Sequence, residues 1–83
     1  MNNKIGKASQ VFQQRVKNIF PHIMVDSDLE VENEHALTHK VFFGKYSWEM
    51  MEKVEDITLD IEDEFGITIH IHPMWQTKLI QST

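Results

Sequence analysis

His70 and His72 stand two apart in the run Ile67-Thr68-Ile69-His70-Ile71-His72-Pro73. On an extended strand, residues i and i+2 project from the same face, so both imidazoles can reach one divalent metal ion such as zinc. Two histidines leave that site incomplete, and the remaining ligands must come from elsewhere in the chain. Asp26, Asp28, Glu30 and Glu32 offer carboxylates, while His22, His35 and His39 offer further imidazoles. The plain alternative is that both histidines are simply the outward polar residues of a half-buried strand.

Asp26, Asp28, Glu30, Glu32 and Glu34 place five carboxylates at every second position. Such a row can collect a cation, but it lacks the glycine turn and fixed spacing of an EF-hand loop. A solvated strand face that discourages edge-to-edge sheet growth accounts for it equally well. His35 and His39 are four apart but span a turn and a strand, so the His-Glu-x-x-His geometry does not arise. Ser9, Ser27, Ser47 and Ser82 sit in no nucleophile motif, and no glycine-rich loop could cradle a phosphate. Phe43-Gly44-Lys45-Tyr46 followed by Asp56 lacks the serine and the paired aspartates that two-metal nucleotidyl transfer would need. The expectation is a protein that is not an enzyme.

These residues must be held by elements that the periodicity locates. Ile5, Ala8, Phe12, Val16 and Ile19 recur at helical spacing, which predicts a helix over 4–20 that Pro21 stops. The period then changes to two. Ile23, Val25, Leu29 and Val31 alternate with Met24, Asp26, Asp28, Glu30 and Glu32, the pattern of a strand with an acidic outer face. Asn33-Glu34-His35-Ala36 reads as a turn, and residues 37–44, rich in β-branched and aromatic side chains, as a second strand. Ser47 caps a second helix whose buried stripe is Trp48, Met51, Val54, Ile57, Ile61 and Phe65, and Gly66 closes it. Residues 67–72 form the third strand, with Ile67, Ile69 and Ile71 inward and Pro73 as its end. The tail 74–83 adds an edge strand or packs Trp75. The fold expected is α+β, helix–strand–strand–helix–strand, with both helices on one face of a three-stranded sheet.

Composition sets the outer bounds. Eighty-three residues make a single small domain, 1–83, with a thin core, and small domains often supplement it by dimerising. Without cysteine there is no disulfide framework, no Cys-type zinc site and no thiol nucleophile. No apolar run is long enough to span a membrane and no signal-peptide core is visible, so the expected address is the cytoplasm, with no membrane partner. The net charge of −5 is uneven: Lys4, Lys7, Arg15 and Lys17 lie in the first helix, and all 13 acids follow it. One lightly basic helix is a poor nucleic-acid footprint and is expected to face its own acidic domain or water.

Residues 47–73 resemble the close of the cytoplasmic C-terminal domain of cation-diffusion-facilitator metal transporters. The resemblance lies in a helix with Glu52 to Ile61 in Glu-x-x-x-x-Ile-x-x-x-Ile character, then Glu64-Phe65-Gly66, then a Thr-Ile-His-x-His-Pro strand. That domain has the same helix–strand–strand–helix–strand order, dimerises, and binds zinc or related ions at its interface. The resemblance implies that His70 takes the family's histidine ligand position. His72 stands where the family has aspartate, and His22 and His39 are candidates by element for its other histidines. The candidate metal ligands are thus His70, His72, His22, His39 and Asp26, in a dimeric, metal-responsive binding module. The second expectation is an adaptor that docks a protein partner through an exposed sheet face or through Met74, Trp75, Leu79 and Ile80.

Overall fold

The computed structural model describes residues 3–44 and 47–75. Over these the chain forms α1 (Asn3–Ile19), β1 (Met24–Asn33), β2 (Ala36–Gly44), α2 (Trp48–Phe65) and β3 (Thr68–Trp75). This is the α+β order expected. Among the described residues the sheet has three strands in the order β1-β2-β3, with β1 antiparallel to β2 and β2 parallel to β3.

Local chemistry sets the joints. The Asn33 side-chain oxygen accepts from the His35 backbone N–H at 2.7 Å, closing the turn between β1 and β2. The His35 carbonyl in turn accepts from the Thr68 N–H at 2.7 Å, which pins the start of β3 to that turn. Ser47 is extended, and its hydroxyl accepts from the Met50 N–H at 3.2 Å, a side-chain cap on α2. Ser47→Ala is expected to cost about 1 kcal/mol in urea unfolding, whereas Ser47→Asp should cost almost nothing. Gly66 ends α2 in the left-handed region at φ 71°, and its N–H bonds back to the Glu62 carbonyl.

Both helices cover one face of the sheet. Ile5, Ala8, Phe12 and Val16 of α1 and Val54, Ile57 and Ile61 of α2 meet Leu37, Val41, Phe43 and Ile69 in a single buried cluster. Phe43 and Trp75 stack with ring centroids 4.7 Å apart and close one end of it. Arg15 pairs with Glu64 at 3.0 Å, joining the basic helix to the acidic one. The pair is exposed and contributes at most about 1 kcal/mol.

Four details depart from the expected pattern. Trp48 is not in the buried stripe of α2. It is 60% exposed and donates its indole N–H to Glu52 one turn on. Ile19 is exposed as well: the chain reverses at Pro21, and Phe20 and Ile23 fold back onto the core in its place. Val31 lies opposite buried Leu37 but is exposed. Pro73 does not end β3, which continues to Trp75 with Pro73 opposite Val41. A proline is tolerated where a strand's N–H would point away from its neighbour, as on an edge.

Candidate functional site

The strand register decides which candidate ligands can meet. Along the β2–β3 ladder Leu37 pairs with Ile69, Thr38 with His70, His39 with Ile71, and Lys40 with His72. Alternation therefore sends His70 and His72 to the outer face and His39 to the inner one. His70 and His72 are exposed, as expected. His39 is fully buried on the opposite side of the sheet, so it cannot share an ion with them. His22 is exposed in the turn between α1 and β1. Among the described residues no three His, Cys, Asp or Glu side chains come together closely enough to hold a metal ion. What the sheet does bring together is one pair: His70 Nε2 lies 3.7 Å from Glu32 Oε1. The other Glu32 oxygen accepts from the Thr38 hydroxyl at 2.5 Å.

The carboxylate row does not run straight. Val25 pairs with Val41 and Leu29 with His39, so four steps along β1 match two along β2. The two extra residues bulge out of the ladder between these pairs, so Asp26 is not held in regular register with Glu30 and Glu32. The bulge turns the Asp26 carbonyl inward, 3.0 Å from His39 Nδ1. The side chain of Asp28 lies outside the described residues.

His39 is the centre of a buried polar network between α1 and the sheet. Its Nε2 is 2.8 Å from Ser9 Oγ, and its ring stacks on Phe12 at 5.4 Å. A carbonyl can only accept, so Nδ1 carries the hydrogen and, in the neutral ring, Nε2 accepts from the Ser9 hydroxyl. Ser9 Oγ also accepts from the Gln13 side-chain amide at 3.0 Å. Burial removes water from the ring and holds the His39 pKa below its usual 6.5; the Asp26 carbonyl and the Asp26 charge oppose this without cancelling it. Hydroxyl, imidazole and an orienting acceptor are the parts of a nucleophile–base pair. Ser9 and His39 are nevertheless 2% and 0% exposed, so a substrate has no approach to either. Sequence reading overlooked the pair although a signal was present, since His39 shares parity with Leu37, Val41 and Phe43.

The outer face of the sheet carries the other arrangement of interest. Met24 pairs with Phe42 and Phe42 with Met74, one level across all three strands, and all three side chains are exposed. They line an open hollow with Gly44 and Trp75. At the other end of the same face lie Glu30, Thr38 and His70, again on one level, with Glu32 beside them. Among the described residues no helix lies over this face, and an exposed apolar row on such a face is a surface on which a protein partner can dock.

No helix among the described residues is long and apolar enough to cross a membrane. No family model, curated protein or solved structure matches this chain, so the likeness to the transporter domain rests on residues 47–73 alone.

Proposed function

We propose that the chain is a non-enzymatic binding module whose outer sheet face docks a second copy of itself. The observation that carries this reading is the exposed row Met24, Phe42 and Met74 on the face opposite the helices. Burying it would add apolar contact to a domain whose own core is thin. The face also carries both signs of charge, Glu30 and Glu32 on β1 and Lys40 on β2, with imidazole hydrogen-bonding groups on β3, as a self-complementary surface requires.

The face is small. Three strands at about 4.8 Å spacing and about eight residues of length give roughly 14 by 26 Å, below the standard patch of about 800 Å² per partner. The association is therefore weak, in the micromolar range or above. Sedimentation equilibrium from low micromolar to millimolar protein, with chelator present, should show a monomer–dimer equilibrium. Phe42→Lys should raise the dissociation constant at least about tenfold by placing an ammonium at the middle of the row. A chain that stays monomeric throughout, or a dimer indifferent to Phe42→Lys, would rule the reading out.

The contact between His70 and Glu32 favours a second reading, in which a divalent metal such as zinc links the copies. One chain offers two ligands and zinc takes about four, so a second chain would supply the rest. The ion would then stabilise the dimer by linkage. In the same sedimentation experiment zinc should tighten the wild-type dimer and leave a His70→Ala dimer unchanged. An equal response from both would remove the metal from the account.

A further inference from the structure

We infer that the two copies stack sheet on sheet about a two-fold axis running parallel to β2. This rests on the self-docking reading above and gives it a geometry. The outer face is a small grid. Along the strands it passes from the apolar level Met24–Phe42–Met74, through Lys40 and His72, to the polar level Glu30–Thr38–His70. Across the strands it passes from carboxylates on β1 to imidazoles on β3. The two directions vary independently, and that decides the axis.

A two-fold axis lying between stacked faces has two limiting orientations. Parallel to β2, it exchanges the outer strands and keeps every level. Met24 then meets Met74 of the second copy, Phe42 meets its own copy, and Glu30 meets His70 of the second copy. Perpendicular to β2, it keeps the strands and exchanges the levels. Methionine and phenylalanine then fall on Glu30, Thr38 and His70, and the acidic strand faces the acidic strand. The first orientation joins apolar to apolar and carboxylate to imidazole. The second desolvates the carboxylate and imidazole level against hydrocarbon, which is costly. Lys40 meets its own copy in either orientation, and its long stem lets the ammonium leave the interface for water.

The chain has no cysteine, so single thiols can be introduced without background. Stacked sheets lie about 10 Å apart, too far for a disulfide but within reach of a short bismaleimide. Thr38→Cys and Phe42→Cys, at opposite ends of the outer row of β2, would each lie on the proposed axis. Each variant alone should crosslink to its own copy, at several-fold higher yield than a mixture gives between the two sites. The crossed axis predicts the reverse, with crosslinks in the Thr38→Cys and Phe42→Cys mixture and none in either alone. That reverse pattern, in a dimer still weakened by Phe42→Lys, would overturn the axis and leave the docking face standing. Absence of any dimer by sedimentation would remove both.

Discussion

Acidification from neutrality to about pH 5 should destabilise the wild-type domain more steeply than a His39→Gln variant. The sign follows from burial. The folded ring resists its proton because it is desolvated, so its pKa lies below 6.5, whereas in the unfolded chain it titrates near that value. As pH falls through 6.5 the unfolded state takes up the proton first, and folding loses stability. The loss continues down to the folded pKa and then levels off. One proton limits the slope to about 1.4 kcal/mol per pH unit. The geometry adds a reason. Protonated Nε2 becomes a donor facing Ser9 Oγ, which already accepts from Gln13 and must send its own hydrogen elsewhere. Urea unfolding across the pH range reads the slopes, and the difference between the two proteins isolates the His39 ring together with its coupling to Asp26. Parallel curves would mean that the buried ring does not titrate differently in the two states.

Phe12→Ala should remove about 3–5 kcal/mol. Phe12 is fully buried, lies in the central cluster and forms the other half of the stack on His39. A domain of this length holds roughly 4–12 kcal/mol in all, so the variant stands at the edge of folding. Phe12→Leu keeps most of the volume and should cost about 1 kcal/mol, remaining folded while losing the ring contact. Urea midpoints for both variants test this. A Phe12→Ala cost below about 1 kcal/mol would show that the core collapses into the space and is not held by that side chain.

Most of the architecture was legible because the periods of helix and strand are so different here. Ser47, Gly66 and Pro21 marked the ends of the helices by chemistry that acts within one turn, and local chemistry survives in any tertiary setting. Pro73 reads locally as a breaker, whereas among the described residues β3 pairs on one side only, where a proline is tolerated. Trp48 misled for a related reason: helical phase put it on the apolar stripe, but a residue in the first turn of α2 can lie beyond what the core covers. The metal candidates were harder still. Spacing correctly put His70 and His72 on one exposed face, yet whether His22, His39 and Asp26 could join them depended on the register between strands. The four-against-two offset in β1 has no residue signature in the chain, and it decided where Asp26 went.

That offset also bears on what the sheet refuses to do. Among the described residues β1 is an outer strand, and outer strands offer their free backbone groups as a template for fibril growth. An incoming strand would have to match a stretch where the backbone departs from a regular ladder, beside a succession of carboxylates that repel their like. Backbone geometry and charge together oppose lateral, amyloid-style extension on that side.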